Sequence, residues 1–175
     1  QLSAERIKLV DELNPYVQAE YAQLNEVKPA HISYKSSTDH LTADANENIA
    51  VLTERQKEVA RQESERGVSL IGPHRDDLHL QLGDFPAKGY ASHGESWSFA
   101  ISLKLAALQL LKKNGLDPIL ILDDVFAELD ANRRARLVYA TSLAEQTIVT
   151  TAVEGDLPDE LSGERYYVSS GKVTK

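Results

Sequence analysis

Two adjacent carboxylates, Asp123 and Asp124, close the apolar run "ILIL" in the segment "DPILILDDVFAELDANRR", and a third, Asp130, follows at the head of a basic stretch. Neighbouring carboxylates in a desolvated site resist ionising together, so the pair requires a cation or solvent beside it. An apolar strand in an α/β fold presents such groups at its C-terminal edge, where these sheets bind ligands. Hard oxygens placed there suit Mg²⁺, which uses one or two carboxylates together with nucleotide phosphates. The alternative is that the pair merely opens and caps a loop.

A nucleotide site of that kind needs a phosphate cradle, with the pattern G-x-x-x-x-G-K-[ST]. Gly67 to Gly72 and Gly89 to Gly94 have the glycine spacing, but the first continues into Pro73 and His74 and the second into Glu95 and Ser96. Neither supplies the phosphate-binding lysine, so the chain contains no P-loop. The second stretch reads differently: "SHGE", Ser92 to Glu95, is an S-x-x-E capping box. The first amides of the helix it opens make an electropositive end suited to an anion. A capping box is also common as a purely structural device. His74 and His79 lack a third ligand at metal-binding spacing.

These residues need elements to hold them. Leu2, Ile7, Leu9, Val10, Leu13, Val17, Tyr21 and Leu24 give helical spacing over residues 1 to about 28, interrupted near Pro15. "HISYKSS" reads as extended, and a charged helix runs from about Asn46 to Arg66, with opposite charges laced along a solvated face. After Gly67, "VSLIG" and "DLHLQLGD" read as short strands. An apolar helix spans Ser92 to about Lys113 and ends in "NGLDP". The strand "ILIL", a helix from about Asn132 to Ala144 and the strand "TIVTT" follow, an order that favours a parallel sheet. The tail "YYVSSGKVTK" reads as a hairpin turning at Ser170-Gly171.

Composition bounds the function. The 175 residues suffice for one core, or for a domain with part of another. Cysteine is absent, which excludes disulfides and thiolate metal sites and fits a reducing cytosol. No apolar run approaches a membrane span, and no signal-peptide pattern opens the chain. The net charge of −8 argues against a broadly basic nucleic-acid-binding surface. Methionine is absent and Gln1 lies inside a helical pattern, so the sequence is expected to begin mid-protein.

"YASHGESWSFAISLKLA", "PILILDDVFAELD" and "QTIVTTA" resemble, in order, the signature motif, the Walker B strand with D-loop, and the switch segment of an ABC-type ATPase head. "GPHRDDLHLQLGDFPAKGYAS", residues 72 to 92, narrows the resemblance to the RecF family of bacterial recombination mediators, relatives of SMC-type heads. The N-terminal helices and "ISYKSS" resemble, less specifically, the end of that family's inserted arm. The resemblance implies an α/β fold, an ABC-ATPase-head lobe with a parallel βαβ core. Part of a helical arm domain precedes it, with the division at residues 1–66 and 67–175. It places the P-loop and Q-loop in a segment preceding Gln1, so the chain alone is expected to be inactive.

The resemblance also implies roles. Asp123 matches the carboxylate that holds Mg²⁺, usually through water. Asp124 stands where many ABC ATPases carry a glutamate that orients the attacking water; being a methylene shorter, it suits slow hydrolysis and a timed clamp. Its alternative is a hydrogen bond to the loop. Ser92 and Gly94 match the signature residues that contact the γ-phosphate of ATP held by the opposite subunit. Asp130 matches the D-loop aspartate that reaches across the dimer, and it also suits a helix N-cap. Thr150 or Thr151 falls where transporter-type ATPases place a switch histidine. Glu95 replaces the family's usual Gln, and His93 stands at a position often Gly or Gln. A carboxylate beside a phosphate is unfavourable unless it turns back into the capping box.

The cofactors implied are ATP and Mg²⁺. The partners implied are single-stranded and gapped duplex DNA, a second copy in an ATP-dependent homodimer, and RecO and RecR in loading RecA at gaps and stalled forks, in the cytoplasm and without a membrane. An alternative is an ABC-type clamp or regulatory module with peripheral DNA contact, toward which the acidic balance leans. His74 and Arg75 suit nucleotide-linked contacts, or an ion pair of Arg75 with Asp76 or Asp77. Arg133, Arg134 and Arg136 suit phosphate contacts or a solvated helix face.

Overall fold

The computed structural model describes residues 1–24, 27–127 and 129–175. Contacts divide the chain into two compact units, Gln1–Gly115 and Leu116–Lys175. The sequence expectation drew its line at Gly67. In the structure, β1 (Ala30–Lys35) pairs antiparallel with β2 (Asp77–Leu82) across that point, with Ile32 opposite Leu80.

In the first unit, α1 (Leu2–Leu24) packs against α4 (His93–Lys113) and against β1. The core gathers Val10, Val17 and Tyr21 of α1, Ala30 and Ile32 of β1, Leu82 of β2, and Phe99 and Ala106 of α4. The Tyr21 and Phe99 rings lie tilted, 5.6 Å apart. The interruption expected near Pro15 does not occur, for α1 runs through it. An interior proline costs about 3 kcal/mol. Val10 and Val17, buried on either side of it, each contribute roughly 1.5–3 kcal/mol and offset that cost.

The charged α2 (Ala45–Arg66) starts at Asp44, whose carboxylate accepts from the Asn46 amide, and stops at Gly67 in the left-handed conformation. Arg55–Glu58, Lys57–Glu54 and Arg61–Glu65 pairs lace its exposed face. The strand expected at "VSLIG" is instead a loop. Its backbone finds other partners: Leu70 N donates to the Glu63 carboxylate, Gly72 N donates to Ser37 Oγ, and Ser69 O accepts from Arg75 Nε. The two-residue β3 (Phe85–Pro86) extends the sheet, and a single irregular turn, α3 (Ala87–Tyr90), leads into α4.

The second unit holds the expected strand–helix–strand element. β4 (Ile119–Asp123) and β5 (Gln146–Thr150) run parallel, joined through α5 (Ala131–Thr141). Leu122, Leu137 and Ala140 are buried. β6 (Tyr167–Ser169) and β7 (Lys172–Thr174) form the closing hairpin, with Ser170 and Gly171 both at positive φ, as a two-residue turn of the favoured hand requires.

Candidate functional site

The capping box forms as the residue types require. Ser92, extended at φ −64° and ψ 166°, accepts from the Glu95 amide at 3.2 Å, and Glu95 Oε2 accepts from the Ser92 amide at 2.8 Å. The carboxylate that would confront a phosphate is therefore turned back onto its own helix. Its second oxygen accepts from Lys28 Nζ at 2.7 Å. Lys28 above all, and then Ser92, hold the Glu95 carboxyl down at about 2. Ser92 and His93 are exposed at the mouth of α4, and Gly94 adds no side chain there. Trp97 Nε1 donates to His93 Nε2 at 2.9 Å, which leaves the proton of the neutral imidazole on Nδ1. Neither the Lys28 nor the Trp97 contact was read from the sequence. The i, i+4 spacing of His93 and Trp97 was a visible signal, whereas Lys28 gave none.

In the second unit, β4 delivers Asp123 to the strand end opposite Thr150, and both carboxylates of the pair are exposed. Hydrogen bonds from within the chain reach both. Thr150 Oγ1 donates to Asp123 Oδ1. Asp124 turns the chain at φ 50°, with its amide on Thr150 O at 3.1 Å and Oδ1 accepting from the Ala152 amide at 3.4 Å. Thr150, expected only as a switch position, is thus a direct partner of the pair. Asp130 is the N-cap of α5, accepting from the Arg133 amide at 3.0 Å, and it also pairs with the Arg133 guanidinium.

Ser92 and Gly94 belong to the first compact unit, and Asp123, Asp124 and Asp130 to the second. Among the described residues no group of three or more His, Asp or Glu side chains gathers as a metal cluster. One or two strand-end carboxylates fit Mg²⁺ when phosphate and water complete the shell, so the donor set suits a nucleotide-borne metal rather than a protein-caged one.

The "GPHRDD" loop corrects one expectation. Asp76 accepts from the Tyr34 hydroxyl, the Ser37 amide at 2.7 Å, and the hydroxyls of Ser37 at 2.7 Å and Ser36 at 3.3 Å. Arg75 turns to Ser69 O at 2.8 Å rather than to Asp76. Arg6 donates to Pro73 O at 2.6 Å. Gly72 sits at φ 122°, a conformation that favours glycine, and a Cβ there would stand 3.1 Å from the exposed His74 ring. His74 and Arg75 face solvent. Of the α5 arginines, Arg134 donates to Phe126 O at 3.3 Å and Arg136 lies over the Tyr139 ring at 4.7 Å. No helix among the described residues is long and apolar enough to cross a membrane.

No family model matches the chain. Curated relatives do. The "DNA replication and repair protein RecF" of Rhodococcus erythropolis is 48% identical over 97% of this chain and 45% of its own length. That of Beutenbergia cavernae is 46% identical over 100% and 50%, and that of Streptomyces avermitilis 48% over 100% and 47%. The chain thus spans about half the length of the curated relatives it matches. Two solved structures share the fold, both of the recombination mediator protein RecF in the RecFOR pathway. The RecF-ATPrS structure superposes with a TM-score of 0.80 at 22% identity, covering 97% of this chain and 45% of that one. The RecF-ATP structure gives 0.77 at 23%, covering 98% and 46%. Near-complete coverage of this chain at 46–48% identity places it among the homologues of proteins named RecF.

Proposed function

We propose that this chain is the C-terminal part of a DNA replication and repair mediator, its residues 1–66 belonging to the arm and 67–175 to the head of an ATPase that closes into a homodimer with ATP. The formed capping box carries the reading. With Glu95 folded back, Ser92 and the first turn of α4 present a hydroxyl and a positive helix end, the equipment for gripping a γ-phosphate held by a second subunit. Asp123 would hold Mg²⁺ and Asp124 the attacking water, with Asp130 reaching the partner copy. Bound ATP and Mg²⁺ supply the scissile phosphoanhydride and the neutralisation of its charge. Loading of RecA at gaps, with RecO and RecR, is the role in which such a clamp would act.

The test is Ser92→Arg in the full-length protein. Light scattering should show ATP-driven dimerisation lost while ATP binding within one subunit survives. A normal dimer would remove Ser92 from the contact and with it this reading.

A second reading, a regulatory clamp with peripheral DNA contact, draws on the charge of −8 and on the arginines of α5, which are engaged within the chain. Binding to gapped duplex that weakens steeply with salt would favour the first reading, because phosphate contacts release counterions. Salt-insensitive binding would favour the second.

A further inference from the structure

Lys28 lies 67 residues from Glu95 in sequence, in the connection between α1 and β1, yet its ammonium sits 2.7 Å from Glu95 Oε1. The backbone beside it is tied down, for the neighbouring Pro29 carbonyl accepts from the Gly83 amide at 2.8 Å. The side chain lines a small cleft with Leu82, Phe85, Pro86, Tyr90 and Ala91, immediately before Ser92. The Glu95 side chain is 15% exposed and that of Lys28 46%, so water reaches the pair through the lysine.

An ion pair this exposed contributes little to stability. Its effect is on local charge. The Ser92 amide satisfies one oxygen of Glu95 and holds the carboxylate's direction, but an amide carries no net charge with which to cancel it. Lys28 does.

We propose that Lys28 is a positioning residue of the signature contact: by holding and neutralising Glu95 in the capping box, it allows a helix start that carries a glutamate to accept a phosphate. The inference rests on the reading of Ser92 as the trans nucleotide contact. The depressed Glu95 carboxyl, with the bond from Lys28 as its largest cause, agrees with it. Without Lys28, an uncompensated negative charge would stand in the first turn of α4, next to the incoming anion. Like charges so juxtaposed oppose binding strongly.

The experiment uses the full-length protein and titrates dimerisation with ATP for Lys28→Met, Lys28→Arg, Glu95→Gln and the double variant Lys28→Met/Glu95→Gln. Lys28→Met should raise the ATP concentration for half-maximal dimerisation by about tenfold, the effect of one lost charge compensation, with an unchanged melting temperature. Lys28→Arg should stay near the parent. Glu95→Gln should do so too, because glutamine completes the box without charge. The double variant should return to the Glu95→Gln level, a rescue that a merely structural lysine cannot give. Lys28→Met without effect, or a double variant as impaired as Lys28→Met, would overturn the proposal. Ser92→Arg run alongside separates the two failures. If it abolishes dimerisation while Lys28→Met does nothing, the lysine's role alone is lost; if it too does nothing, the signature reading falls.

Discussion

Asp124 stands at φ 50°, a conformation that costs most L-residues roughly 1–2 kcal/mol and that Asp and Asn adopt with least penalty. That backbone favours an aspartate over a longer glutamate, and it makes Asn a clean probe. If Asp123 holds Mg²⁺ as proposed, Asp123→Asn removes a charge the metal needs, so in the full-length protein both nucleotide affinity in magnesium and hydrolysis should fall. Asp124→Asn keeps shape, backbone tolerance and the acceptor for the Ala152 amide. ATP should still bind and the dimer should persist, while phosphate release falls by about 10²-fold or more, the usual loss for a water-activating group. Steady-state phosphate release measured beside dimer lifetime distinguishes the two. Equal phenotypes would mean that the pair only shapes the loop.

At the scale of elements, the loop between α2 and β2 is tied to the end of β1 through one carboxylate, Asp76. Burial pushes the Asp76 carboxyl up, but the bonds from the Ser37 amide, the Tyr34 hydroxyl and the hydroxyls of Ser37 and Ser36 outweigh it and hold the group below its ordinary 3.8. A depressed carboxyl stabilises the fold above its unfolded pKa, and the contribution is lost as pH falls through the folded value. Asp76→Ala should therefore destabilise the protein by about 1–3 kcal/mol at neutral pH, the cost of donors left without an acceptor. That deficit should shrink as pH drops below 3.8. Thermal melts of both proteins across pH read it directly. A deficit that stays constant into acid would mean that the carboxylate's charge is not what ties Tyr34 and Ser37 to the loop.

For the molecule as a whole, one face of the second unit's sheet is conspicuous. Ile119, Ile121 and Ile148 are 54%, 64% and 44% exposed on a parallel pair of strands, although parallel sheets almost always have both faces covered. The chain also lacks the lysine-bearing phosphate loop. Residues 1–175 alone should thus show no micromolar ATP binding by calorimetry, and should bind a hydrophobic dye through the open strands. Tight ATP binding by the isolated chain would contradict the assignment of its carboxylates to a site completed by a P-loop.

What the sequence determined was what neighbours along the chain decide. The capping box, the stop of α2 at Gly67, the Ser170-Gly171 turn and the parallel β4–α5–β5 order depend on bonds within a few residues or on chain direction, and they were legible. The strand-end position of Asp123 followed from the same local pattern. Tertiary structure decided the rest, because its causes lie far apart in sequence. Packing against α4 and β1 carries α1 through Pro15, and partners from α2 and from Ser37 hold "VSLIG" as a loop. Arg75 lies next to Asp76 in sequence, yet the aspartate is taken by Tyr34 and Ser37 from another strand's end, and the arginine turns to Ser69. Half of the orientation of Glu95 was readable in "SHGE"; the other half is Lys28, 67 residues away in sequence, which the tertiary fold brings to it.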